Sequence, residues 1–280
     1  MSNKGYGMGK MIRNGLAVFL LTICMLPATA VNAEEYKHRS SFTVKFAGIE
    51  IGKATFNIDF DDVSYSLKGS GKTSGLIEWV APSAGQFASA GTMIENQLKP
   101  EIHTVSVTEK KKKPESVKLS FAEEKIVDVQ IRSNKKRKVR KAPKYVPVEA
   151  RHLAAVMDPA STLLVPLDGE SARDGRKVCN QRFPVFDGET RYDIQLGYKS
   201  TKPVTTKGYT GHAYVCQLRY IPVAGHKKNQ RNVKEMAENK NMEIWLAPME
   251  SVSVFTPIKI SIGTKYGRFV ADPTYFGSAS

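Results

Sequence analysis

The sequence predicts a mainly β protein, an antiparallel meander forming a strongly curved sheet or incomplete barrel around one or two short helices. Three observations carry this: apolar residues recur with period two from Ser41 onward, short turn signals separate the runs, and helix-period stretches are scarce. A sheet that is apolar on one face must close on itself or fold over a plug, which is why curvature is expected. Within 280 residues, 41% hydrophobic content with Gly 21 and Pro 14 fits a globular chain and excludes wholesale disorder or a collagen-like repeat.

The first segment reads as an address rather than as structure. Lys4, Lys10 and Arg13 form a basic start without an acid, Leu16 to Leu26 is apolar, and Val31 and Ala33 suit signal peptidase. The apolar stretch is about half the ~20 residues of a spanning helix. Ile23 before Cys24 is bulky where a lipoprotein signal needs Gly or Ala. Residues 1–33 are therefore expected to be a cleaved signal peptide, and residues 34–280 a single β-rich periplasmic domain.

The strands follow in order. Phe42, Val44 and Phe46 alternate with polar residues, then Ala54, Phe56, Ile58 and Phe60 do so beyond the Ala47-Gly48 turn. Val63, Tyr65 and Leu67 come next, followed by His103, Val105 and Val107, by Val117, Leu119 and Phe121, and by Val127, Val129 and Ile131. Asp187-Gly188 is a hairpin signal leading to Tyr192, Ile194, Leu196 and Tyr198. Tyr214, Cys216, Leu218 and Tyr220 share a face; Met242, Ile244 and Leu246, then Ile258, Ile260 and Ile262, complete about ten or eleven strands. Short helices are expected at Ser74–Val80, Val148–Met157 and Pro159–Leu164, the last two broken at Asp158-Pro159.

Cleavage after Ala33 leaves two cysteines, Cys179 and Cys216. In an oxidising compartment these predict one disulfide closing a loop of 37 positions. Such a loop stabilises by roughly 4 kcal/mol on the chain-entropy model. Two buried thiols are the alternative. A zinc site is disfavoured because neither cysteine has a CxxC partner and there is no HxxxH, so no metal and no cofactor are expected.

Several local patterns resemble catalytic motifs. Gly69-Ser70-Gly71-Lys72-Thr73 ends like a phosphate-binding loop, but Ser66 stands where the first glycine belongs and no parallel βαβ unit surrounds it; a glycine-rich strand end is the better reading. Asp59, Asp61 and Asp62 lack the further ligand and the glycine of a calcium loop. The five histidines are scattered and there is no G-x-S-x-G, so no catalytic residue is assigned and no enzyme is expected. A triad assembled from distant residues stays open as a third reading, an envelope-polymer hydrolase, to be tested by a His, Asp and Ser cluster in one cleft.

The net charge is +15, from 42 basic and 27 acidic residues; losing the three basic residues of the leader lowers it to +12. Much of the excess lies in a loop over 132–147, where Lys135, Lys136, Arg137, Lys138, Arg140 and Lys141 form a candidate patch for an anionic membrane surface. Lys110 to Lys113, and His226-Lys227-Lys228 with Arg231, are smaller additions. A plain solvated loop is the alternative. Export excludes nucleic acid as the natural polyanion.

The order of features resembles a known family. Ala47-Gly48-Ile49-Glu50-Ile51-Gly52, Thr73-Ser74-Gly75-Leu76, Ala90-Gly91 and Pro100 are followed by Asp158-Pro159-Ala160-Ser161. Phe183-Pro184-Val185-Phe186-Asp187-Gly188 then leads into Tyr192, and Trp245-Leu246-Ala247-Pro248 into Pro257-Ile258. From Glu35 to Phe276 this resembles an exported proteobacterial family of unknown function, β-rich periplasmic proteins similar in fold to envelope-integrity proteins and periplasmic lipoprotein carriers. The lysine-rich Lys135–Lys144 and the Gly225–Lys240 connection depart from it.

The resemblance implies a non-enzymatic periplasmic protein supporting the cell envelope, with a lipid or a lipidated envelope protein as partner. The concave face is expected to offer Phe42, Phe56, Ile58, Tyr192, Ile194 and Leu196 to an acyl chain, at about 0.8 kcal/mol per buried CH₂. The same residues serve equally as a filled core. A protein-interaction scaffold without a ligand cavity, using exposed strand edges, is the second reading.

Overall fold

A computed structural model describes residues 35–279 except 62, 76, 79–80, 111, 135–143 and 250–251. The leader at 1–33 and the patch Lys135, Lys136, Arg137, Lys138, Arg140 and Lys141 lie outside the described residues. The described chain contains fourteen strands in one antiparallel meander. β1 (Tyr36–Phe46), β2 (Ile49–Phe60), β3 (Ser64–Thr73), β4 (Ser83–Ile94), β5 (Gln97–Glu109), β6 (Glu115–Ala122) and β7 (Lys125–Arg132) pair in sequence. So do β9 (Arg182–Phe186), β10 (Arg191–Thr206), β11 (Tyr209–Ala224), β12 (Met242–Pro248), β13 (Val254–Thr264) and β14 (Gly267–Ser278). β1 pairs with β14, which stitches the halves into one sheet; β8 (Val165–Pro166) adds to β13.

The sheet does not close by a ladder, because β7 and β9 stand at its two ends. A linker ties those ends instead. Ala154 bridges to Lys125 beside β6, and Met157 bridges in parallel to Val185 of β9. Val156, between them, packs with Leu119, Phe121 and Phe186 from both ends of the sheet. The expected incomplete barrel is thus present, sealed by side chains and one strand-like linker. Gly188, at φ +98°, lets the β9–β10 turn lie against β6, since a Cβ there would stand 2.7 Å from Val117.

Two α-helices are described in full, α1 (Gly175–Cys179) and α2 (Arg231–Glu238). The stretches expected as helices at 148–157 and 159–164 form only single 3-10 turns, Ala150–Leu153 and Ser161–Leu163. The linker's backbone bonds go to the sheet ends and its Asp158 caps the second turn, so no longer helix can form there. Of Ser74–Val80, Ile77 and Glu78 are helical, while 76, 79 and 80 lie outside the described residues.

The core divides into clusters. Val165, Val178, Phe183, Val185, Leu196, Ile244, Leu246 and Phe255 surround Cys179 and Cys216. The two cysteines form the expected disulfide, with Cα atoms 5.4 Å apart and both residues fully buried. Gly175 admits α1 beside them: a Cβ there would meet Tyr214 at 2.5 Å and Tyr198 at 2.7 Å. A second cluster joins Ile58, Phe60, Tyr65 and Leu67 to Ala160 and Leu164 of the linker.

Candidate functional site

Of the six residues expected on an apolar binding face, five lie in or against packed clusters, and Phe42 packs on the Phe56 ring. Phe42, Ile58 and Leu196 are buried. Phe56 packs with Ile58, and Tyr192 and Ile194 pack with Leu196.

Inside the β2–β6 half lies a polar knot. Asp158, fully buried in the linker, accepts from the Ala160 and Ser161 amides at 2.9 and 3.0 Å. It also accepts from the Ser161 hydroxyl at 2.6 Å and from the Ser89 hydroxyl at 2.7 Å. His103 Nδ1 lies 3.1 Å from Asp158 and 2.8 Å from Ser89 Oγ, and the Tyr65 phenol meets Ser161 at 2.8 Å. Burial pushes the Asp158 carboxyl up, but the hydrogen bond and charge of His103 and the two serine bonds outweigh it and hold the group below the usual carboxylate range. A Ser–His–Asp relay needs the serine and the carboxylate on opposite ring nitrogens with the serine open to substrate. Here both occupy Nδ1, and Ser89 and Ser161 are 2% and 0% exposed.

A different end of the molecule presents itself to solvent. By strand register, the turns after β1, β3, β5, β9 and β13, together with the ends of β7 and β11, share one rim of the sheet. There Tyr145 bridges to Lys227, Val146 N–H donates to His226 O at 3.0 Å, and Lys228 N–H to Lys144 O at 2.8 Å. This seats Lys144, Lys227 and Lys228 together, although 83 positions separate Lys144 from Lys227.

Two hairpin tips on the same rim expose apolar side chains. Ala47 N–H donates to Arg268 O at 3.0 Å and joins the β1–β2 tip to the β13–β14 tip. Ile49 is 64% exposed and Tyr266 77%, with Phe269 stacked on Phe46 at 4.4 Å. Lys265 lies over the Tyr266 ring and pairs with Glu235 of α2 at 2.6 Å. Of the acids at this end, Glu109 holds Lys112 at 2.7 Å and Glu115 accepts from Ser133 and Asn134. Among the described residues no group of His, Cys, Asp and Glu could hold a metal ion. Asp61 instead builds the β2–β3 turn by accepting from Val63 and Ser64.

The fold defines a β-barrel-like protein made from a single meander. The chain belongs to a family of unknown function: the family model DUF3108, protein of unknown function, matches residues 41–274. No curated protein matches it. The chain is similar in fold to the crystal structure of a beta-barrel-like protein of domain of unknown function DUF1849 from Brucella abortus. The two share 10% identity over 89% of this chain and 100% of that one, with a TM-score of 0.53. No helix among the described residues is long and apolar enough to cross a membrane.

Proposed function

We propose that the chain is an exported, non-catalytic periplasmic protein that supports the cell envelope by seating its rim on an anionic membrane surface. The observation that carries this is the meeting of Lys144, Lys227 and Lys228 on the rim that also exposes Ile49 and Tyr266. An aliphatic and an aromatic tip enter the headgroup layer while each nearby lysine contributes about 1 kcal/mol of attraction to anionic lipid. In the sequence, Lys135, Lys136, Arg137, Lys138, Arg140 and Lys141 lie between β7 and Lys144. The leader and the disulfide support export.

The lipid partner is thus met at its headgroup. The six apolar residues are committed to packing, which removes the support for an acyl chain lying within the sheet. The buried Asp158 knot supports the non-catalytic reading, since neither serine faces solvent. A strand-adding protein partner is the second reading, favoured by β7, whose outer edge carries only the Lys125–Ala154 bridge among the described residues.

The test is co-sedimentation of the mature protein with vesicles. Binding is expected to vesicles containing phosphatidylglycerol and not to pure phosphatidylcholine. It should weaken with salt, with K227Q/K228Q, and with Tyr266→Ser. Equal binding to both vesicles, or none to either, removes this reading.

A further inference from the structure

The outward face of β2–β7 holds a basic trough. Strand register aligns Asn57, Lys68, Ala88, Thr104, Lys118 and Gln130 in one row across six strands. Two residues along each strand, the next row on the same face is Thr55, Ser70, Gln86, Ser106, Ser116 and Arg132. Residues between these rows point inward, as Gly69 shows by lying under the Phe87 ring. The two rows line a hollow of about 1020 Å³, and a second of about 410 Å³ continues it past Lys53 and Lys72.

Side-chain length makes the trough. Ala88 and Thr104 on the central strands are short, while Lys68 and Lys118 stand three strands apart, about 14 Å at ~4.8 Å per strand. Arg132 closes the β7 side. Neither row contains a carboxylate; Asp59 and Asp128 lie one row further along the same face, where Asp128 accepts from Gln130 at 2.8 Å, and Glu115 accepts from Ser133 and Asn134 at the end of the hollow. Neither row contains an aromatic ring, so there is no platform for stacking a nucleobase. What remains is a floor rich in hydroxyls and amides between Lys68, Lys118 and Arg132.

We infer that this trough binds a phosphorylated oligosaccharide lying between the β3 and β6 lysines. Phosphate groups meet Lys68, Lys118 and Arg132 through charge-assisted hydrogen bonds, and sugar hydroxyls meet Asn57, Gln86, Thr104, Ser106 and Ser116. A flat bilayer does not fill a hollow in a sheet face, and an extended peptide would find no apolar side-chain pockets on these rows. The site is separate from the rim and does not depend on how the rim is used.

Calorimetry on the mature chain tests it with pentamannose phosphate, uncharged mannopentaose and hexaglutamate. The phosphorylated glycan should bind, and both others should bind about tenfold or more weakly. K68Q/K118Q should weaken it by about tenfold or more, R132Q should weaken it independently, and K227Q/K228Q at the rim should leave it unchanged. Thermal unfolding of K68Q/K118Q at the wild-type midpoint shows that the fold is intact. Tighter binding of hexaglutamate, no binding of the phosphorylated glycan, or unchanged affinity in both trough variants overturns the assignment. Failure of vesicle binding alone bears only on the rim.

Discussion

Between β9 and β13 the interior is aliphatic, aromatic and cross-linked; between β2 and β6 it holds a carboxylate, an imidazole, two serine hydroxyls and a phenol. Both halves face the same task, which is to hold the non-strand segments that fill a sheet too open to close itself. The C-terminal half does this with α1, pinned by Cys179–Cys216 and by rings pressed on Gly175. The N-terminal half does it with the linker, pinned at Asp158. Apolar packing tolerates small displacements, whereas a buried carboxylate with four donors and a histidine on it fixes one position. The difference also separates their chemistry: redox acts on one half and pH on the other.

The largest expected effect comes from removing the covalent pin. C179A/C216A should lower stability by about 4 kcal/mol, as judged by urea unfolding. Hydrogen exchange should then accelerate first in β10–β12 and leave β3–β5 protected. Uniform loss across both halves would show that the sheet, and not its filling, is the cooperative unit.

Asp158→Asn probes the other pin without opening a cavity. Loss of charge-assisted hydrogen bonds should cost about 3 kcal/mol, with faster exchange in β3–β5 and the linker. Wild-type stability in this variant would mean the knot is ornamental. The pH sign follows from the depressed carboxyl: the contribution of Asp158 is present above the unfolded value near pH 4 and is lost as pH falls below it.

The seam between the halves titrates in a different window. His38, on β1 opposite Ser278 of β14, is 1% exposed; its Nε2 meets Ser40 at 2.9 Å and its ring packs edge-on to Phe276. Burial lowers its pKa from 6.5 to about 4. The unfolded chain therefore takes up a proton near pH 6.5 that the folded chain refuses until about pH 4, so stability falls as pH drops through that interval. Between pH 7 and 5 the loss should be about 2 kcal/mol, read as a shift in urea midpoint. His38→Phe should flatten it; an unaltered slope would place the titration elsewhere.

Much of this contrast was visible beforehand in residue patterns. Alternation located β2, β6 and β12, and the lone pair of cysteines gave the disulfide. β4 was missed because its Ala, Gly and Ser residues carry no apolar alternation. β14 was missed because Pro273 interrupts its short apolar run; Pro273 sits where the β1–β14 register shifts. α2 was read as loop because its support is tertiary, from Glu235 to Lys265. The knot was half legible: Asp158-Pro159-Ala160-Ser161 stood out, but Ser89 and His103 are joined to it only by pairing of β4 with β5. The trough was not legible, since its members are polar positions in six strands with no local spacing to mark them.

The smallest stability effect is expected where binding is proposed. Lys68 is exposed on β3 and Lys118 half-buried on β6, and both point away from the knot and the clusters. Substitution of exposed side chains without buried partners changes stability by about 0.5 kcal/mol or less. K68Q/K118Q should thus leave the urea midpoint, the exchange pattern and the pH dependence of both halves unaltered. A destabilisation as large as that of Asp158→Asn would show that the outward lysines hold the β3–β6 ladder together. The N-terminal half would then have no surface to spare for a ligand, and its polar interior would have to be explained without one.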